Sequence, residues 1–195
     1  MNSYQSRTEG SQIEIDHVNL QRQQSFDYIF KNYKDKIYSF FIHSGINAED
    51  AQDLTQDTFL KIYRFLDQQD ANKNLAAWIF KIASNTAKDY YWKSSLFRGR
   101  RSKLERLSTF DNSSTPESIL LQKEQKQELQ RILLRIPFNY RVILLLRFTN
   151  ELSYEEIAEI MNYSVNKVSV HLHRAKKKVR KLLTNSEVIE FEMLY

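Results

Sequence analysis

The chain has 195 residues, 42% of them hydrophobic and 27% charged, the balance of a protein with a packed core and one or two domains. With no cysteine, disulfides and thiolate metal sites are excluded. Only three Gly and two Pro occur, which argues against a turn-rich sheet fold and for long helices.

The net charge of +5 is modest but segregated. Between Glu159 and Glu187 there is no acidic residue, yet Lys167, Arg174, Lys176, Lys177, Lys178, Arg180 and Lys181 all fall there. A second basic cluster runs Arg98, Arg100, Arg101, Lys103 and Arg106, whereas Glu49, Asp50, Asp53 and Asp57 crowd into a short acidic stretch. One face is suited to polyanions and another to a basic protein surface. Met1–Gln24 lacks the apolar core of a signal peptide, and apolar runs such as Val142–Leu146 fall far short of the ~20 residues that span a bilayer. The expectation is a soluble, cytoplasmic protein without membrane insertion.

In chain order, apolar residues recur at helical spacing in Phe26, Ile29, Phe30, Tyr33, Ile37, Phe40 and Phe41. Gly45 interrupts, and Asn47 with Asp50 resembles a capping box in which Asp replaces Glu. A second stripe takes Ala51, Leu54, Thr58, Phe59, Ile62, Phe65 and Leu66. A third, after the polar loop Asp67–Asn74, takes Leu75, Trp78, Ile79, Ile82, Ala83, Thr86 and Tyr90. Three such helices bury one another, so residues 24–93 are read as one domain. Residues 94–116, basic and Ser/Thr/Asn-rich up to Pro116, read as a flexible linker. Helical spacing resumes from Glu117: Leu129, Ile132, Leu133 and Ile136 stop at Pro137, Tyr140–Phe148 is very apolar, and Asn150–Glu151 turns the chain. A C-terminal domain over 117–184 follows, and residues 185–195 are a tail without a reading.

The strongest constellation runs from Leu152 to Ala175. Ser153 and Glu156 form a capping box; Ile157, Ala158 and Met161 give the buried side of a short helix, and Ala158 is small enough for a second helix to cross close by. Asn162-Tyr163-Ser164 supplies a tight turn in which Ser164 can cap the next helix. That helix would bury Val165, Val168, Leu172, Ala175, Val179 and Leu182. At ~100° per residue its opposite face carries Asn166, Val170, His173, Arg174 and Lys177, flanked by Lys167 and Ser169. Small hydrogen-bonding residues near the start, followed by cations, are what a recognition helix needs: the first approach base edges and the second fix register on phosphates. A solvated basic face would look similar, but it would not need the box, the small crossing residue and the short turn together.

At this point the residues resemble a family, the extracytoplasmic-function (ECF) sigma factors. The C-terminal stretch is similar to their domain for the −35 promoter element. Asp50-Ala-Gln-Asp-Leu-Thr-Gln-Asp-Thr-Phe-Leu-Lys-Ile-Tyr63 looks like their core-polymerase-binding helix, and Ala77-Trp-Ile-Phe-Lys-Ile-Ala-Ser-Asn-Thr-Ala-Lys-Asp-Tyr-Tyr-Trp92 like their −10-reading helix. The resemblance implies that Asp53, Gln56 and Asp57 meet the β′ clamp helices of core RNA polymerase. It implies that Asp70, Ala71, Asn72, Lys73 and Asn74 form a loop holding a flipped −10 base. Asn85 and Lys88 would contact the same strand, and Trp92 could stack on a base or pack on the linker. Arg147 would join Asn166, Lys167, Ser169, Val170, His173, Arg174 and Lys177 at −35 DNA. Lys167, Ser169 and His171 depart from the commonest family residues, so base preference does not transfer. An anti-sigma partner is also implied.

The expected fold is all-α, with two helical domains on a flexible linker, the second a helix-turn-helix. No nucleophile triad, phosphate-cradling Gly loop or zincin pattern occurs, so no enzyme and no cofactor are expected. His171 and His173, two apart, do not share a helix face and lack further ligands, so no metal is expected either. Two rivals remain: a dimeric helix-turn-helix regulator without a polymerase contact, and a helical adaptor for acidic protein surfaces.

Overall fold

The computed structural model describes the backbone of residues 3–97 and 128–183, and the side chains of 20–94 and 128–183. Most of the linker, the helix onset at Glu117 and the tail at 185–195 lie outside the described residues. Within them every regular element is helical, as composition implied.

Helix α1 (Ser3–His43) starts well before the first apolar stripe residue. It ends where Gly45 takes φ +91°, and the amides of Gly45 and Ile46 reach back to the Ile42 and Phe41 carbonyls. This pairing satisfies the last orphan carbonyls of the helix and needs a left-handed residue, which Gly adopts without a Cβ penalty. Helix α2 (Ala48–Phe65) opens on Asn47, whose side chain accepts from the Asp50 amide at 2.9 Å. The expected reciprocal bond differs in its partners. The Asp50 carboxylate takes the Asn47 side-chain amide and the Tyr90 hydroxyl, both at 2.6 Å, and so ties α2 to α3 (Leu75–Phe97). That third helix runs past 93, having no breaker before Gly99.

The three helices share a core of Ile29, Ile37, Phe40, Phe41, Ala51, Phe59, Ile62, Ile79, Phe80 and Ala83. Phe40 meets Phe80 edge-on at 5.6 Å, and Phe26 meets Phe59 at 6.1 Å, pairs worth ~0.5–1.5 kcal/mol beyond their burial. Two stripe residues do not follow the expectation: Phe30 is 41% and Phe65 39% exposed. Both stand at the edge of a stripe wider than the partner helices cover.

In the second half, α4 (128–134) buries Ile132 and Leu133. Helix α5 (Phe138–Leu144) continues as a wide π turn through Leu145–Thr149. Then come α6 (Tyr154–Met161) and α7 (Val165–Leu183). Arg141 is buried. Its guanidinium donates to the carbonyls of Ile136 at 2.9 Å, of Leu134 at 3.2 Å and of Ser44. One side chain thus closes the ends of α4 and α1 together, a cation placed at two negative helix termini. Gln130 adds a bond to the Ile42 carbonyl at 2.8 Å, and the Tyr91 ring packs tilted against Phe138 at 4.2 Å. The two helical halves therefore meet along a continuous seam.

Candidate nucleic-acid and polymerase interfaces

The helix-turn-helix is built by local capping. The Ser153 amide donates to Glu156 Oε2 at 2.7 Å, and the Glu156 amide donates to Ser153 Oγ at 3.2 Å, the complete box. Helix α6 ends at Asn162 with φ +56°, one of the few non-glycine types that tolerate the left-handed region. The Tyr163 and Asn162 amides then return to the Ala158 and Glu159 carbonyls. Ser164 Oγ accepts the Lys167 amide at 3.2 Å and starts α7. Two capped ends with only three residues between the helices leave the chain little choice but a sharp turn.

Helix α7 buries Val168, Leu172, Ala175 and Val179 and half-buries Leu182. Val165 departs from the expected stripe. It is 42% exposed, because as the first helical residue it stands ahead of the place where α5 and α6 cover the rod. Asn166, Lys167, Ser169, Val170, His173, Arg174 and Lys177 are all exposed on the side away from the core. Lys167 lies over the half-buried Tyr163 ring at 3.7 Å, and Lys176 over the exposed Phe148 at 4.9 Å, cation–π contacts that hold both ammonium groups beside the exposed side of α7. Arg147 is half-buried; it donates to the Leu152 carbonyl at 2.9 Å and covers Tyr154 at 5.5 Å, so in this arrangement it braces the entry to α6. His171 lies edge-on between Tyr140 at 5.0 Å and Tyr163 at 5.3 Å. Burial first, then Lys167 and Arg174, lower its pKa below the ordinary histidine value. It packs; His173 faces out. Among the described residues no group of His, Asp and Glu is placed to hold a metal ion.

On α2, Asp53, Gln56 and Asp57 are exposed together on one side. Leu60, 65% exposed, and Tyr63, 47% exposed, continue the same line. Sequence reasoning missed these two, although apolar residues standing off the buried stripe were the available signal. The loop before α3 is shaped by its own polar side chains. Asp70 Oδ1 accepts the Asn72 amide at 2.9 Å, and Asn74 Oδ1 caps α3 through the Ala76 amide at 2.9 Å. Ala71, Asn72 and Lys73 are exposed. Arg22, another residue without a sequence signal, anchors the loop's start. It pairs with Asp67 at 3.1 Å and donates to the Tyr63 carbonyl at 2.8 Å.

Along α3, Asn85 and Trp92 are exposed, Trp92 at 70%. Lys88 is half-buried under α6, donates to the Ile160 carbonyl at 3.3 Å, and has its pKa lowered by burial, partly offset by Asp89. Asn74 likewise donates to Glu156 Oε1 at 2.6 Å. The candidate −10 set is thus divided between residues without a hydrogen bond to α6 and two, Asn74 and Lys88, that hydrogen-bond to it, Asn74 while still exposed.

Fold and exposed basic rod define an all-helical protein with a helix-turn-helix at its C-terminal end. The families described as Sigma-70 region 2 and Sigma-70, region 4 match residues 29–96 and 126–179. The RNA polymerase sigma factor YlaC of Bacillus subtilis (strain 168) is 31% identical over 170 residues, spanning 86% of this chain and 96% of its own. The ECF RNA polymerase sigma factor SigW of the same organism is 29% identical over 177 residues, 87% and 94% of the two chains. In fold, the chain is similar to the sigma factor RpoE of Bartonella quintana, solved with the anti-sigma factor NepR. The TM-score is 0.64 at 20% identity, over 84% of this chain and 99% of that one. The chain belongs to the sigma-70 family, in its ECF group: it is a sigma factor that directs transcription initiation.

Proposed function

We propose a division of that work among three surfaces. The outward side of α2, with Asp53, Gln56 and Asp57, seats on the β′ clamp helices of core RNA polymerase, and Leu60 adds an apolar contact beside the acids. The loop Asp70–Asn74, with Asn85, Lys88 and Trp92, captures the unpaired −10 strand. Helix α7, through Asn166, Lys167, Ser169, Val170, His173, Arg174 and Lys177, reads the −35 duplex, with Arg147 at its rim. The observation that carries this reading is the sidedness of α7: every candidate reading residue on it is exposed while Val168 and Leu172 are buried.

The work is binding and strand capture; sigma factors as a class are not enzymes, and nucleotide addition belongs to the polymerase. The protein acts in the cytoplasm. Among the described residues no helix is long and apolar enough to cross a membrane. An anti-sigma partner is supported by the fold's likeness to a sigma factor solved with one. The halves 24–93 and 117–184 act as separate modules on either side of the linker. The test is transcription with purified core polymerase on a promoter library. A defined set of transcripts should appear only with this protein, and Asp57→Arg should abolish them by loss of core binding while duplex binding by the full chain persists. Transcripts unchanged by Asp57→Arg would remove α2 from the interface, and no promoter-specific transcript at all would favour a regulator without a polymerase contact.

A further inference from the structure

Helix α3 turns one side toward α6, the first helix of the helix-turn-helix. Asn74, Lys81 and Lys88 recur at sevenfold spacing, which is two helical turns each, and so share a face. Asn74 Nδ2 donates to Glu156 Oε1 at 2.6 Å. Lys81 Nζ stands 2.9 Å and Lys73 Nζ 3.9 Å from Glu159 Oε1. Lys88 Nζ donates to the Ile160 carbonyl at the end of α6. The Glu159 carboxyl is held below the ordinary glutamate value by its hydrogen bond with Lys81, by the charge of Lys81, and then by that of Lys73.

What α6 presents to α3 is therefore the chemistry of a nucleic-acid backbone: anionic oxygens in a row, ending in the carbonyls at the negative end of a helix. A single strand drawn to α3 would use the same ammonium groups, and both cannot be satisfied together. We propose that the acidic edge of α6, formed by Glu156, Glu159 and the Ile160 carbonyl, is an internal mimic of the −10 strand. It occupies Lys81 and Lys88, the cations on the strand-binding side of α3, until the two helical halves part. This rests on the reading of α3 as a strand-binding helix. The acids lie within the chain's own DNA-reading domain, so the same movement that frees α3 also carries the −35 reader away from it.

Exposed ion pairs of this kind shift an equilibrium by about 1.4- to 5-fold each, and the seam has other contacts, so the most informative variant adds repulsion. Glu159→Lys places a cation against Lys73 and Lys81. Glu155→Lys makes the same charge change on an exposed residue of the same helix that has no bond to α3. The probe is a labelled single-stranded 20-nucleotide DNA of mixed sequence, bound by the free full-length chain. Because the chain has no cysteine, Gln52→Cys and Lys178→Cys, both at exposed positions, can carry spin labels that report the separation of the halves. Expected are a longer label distance and at least fivefold tighter strand binding for Glu159→Lys than for Glu155→Lys. Equal affinities of the two variants overturn the proposal, as does tighter binding with no change of distance. A longer distance without tighter binding also overturns it, and takes with it the reading of α3 as a strand binder.

Discussion

Leu172 and Arg174 stand two residues apart on α7 and face opposite ways: Leu172 is 2% exposed, Arg174 lies in solvent. Leu172→Ala leaves a cavity among α5, α6 and α7 and should cost ~2–5 kcal/mol, a large share of the ~5–15 kcal/mol that holds a typical fold together. In urea, with a slope of ~1–3 kcal/mol per molar, the midpoint should fall by roughly 0.7–5 M. Arg174→Ala touches no core and should stay within about 0.5 kcal/mol of wild type in the same experiment. On a duplex carrying the promoter selected by the holoenzyme the order reverses. Losing a base-contacting arginine should cost ~1–3 kcal/mol, or about 5- to 150-fold in Kd. Circular dichroism through a urea series and fluorescence anisotropy on the labelled duplex give the two quantities from one preparation. If Arg174→Ala unfolded as early as Leu172→Ala, or bound the promoter as wild type does, the assignment of an inner and an outer side to α7 would be refuted.

Ser153→Ala removes the acceptor of the Glu156 amide and should lower thermal stability by ~0.5–2 kcal/mol, measured calorimetrically. Gly45→Ala combines a left-handed φ with a Cβ 2.7 Å from the Leu134 side chain and 2.9 Å from the Tyr91 hydroxyl; it should destabilise by more than the ~1–2 kcal/mol of backbone strain alone, seen as an earlier denaturant midpoint. His171 has a folded pKa below its unfolded value of 6.5, so the unfolded chain binds the proton more readily. Stability should be full above pH 6.5 and decline as pH falls through the lowered folded value. Melting temperatures between pH 5 and 8 should lose that slope in His171→Gln.

What was legible in the sequence was local. Asn47, Ser153 and Ser164 announce helix starts because a cap is made within three residues of itself, and all three bonds are present. The buried side of α7 was legible for the same reason: one helix with one apolar stripe needs no knowledge of its partners. Of the candidate site, the outward presentation of α2 and α7 followed from those stripes. Phe80, Ser84 and Ala87 on α3 are fully or almost fully buried yet lie off the expected stripe. A single-stripe reading assumes one packed side, and α3 is covered by α1 and α2 as well as by α6. Arg141 is illegible for a deeper reason. It is one basic residue in an apolar run, and its burial is made possible by carbonyls at Ser44, Leu134 and Ile136 that only the fold assembles. The seam itself joins residues about eighty positions apart, where no periodicity reaches.

On the proposed reading, the segregated charge is what lets a net of +5 serve three surfaces. Spread evenly, it would give a weak attraction to DNA everywhere and a poor fit to a basic protein surface. Concentrated, it gives α7 an acid-free rod and α2 an acidic line. The acids of α6 then have a double position that decides which of them can be tested cleanly. Glu156 closes its own helix through Oε2 while Oε1 receives Asn74, so removing it would mix a lost cap with a released α3. Glu159 is bonded only across the seam, to Lys81 and Lys73, and takes no part in the capping of α6 through its side chain. A change there alters what α3 meets without altering how α6 folds, and an effect on strand binding from that position therefore reports on the seam.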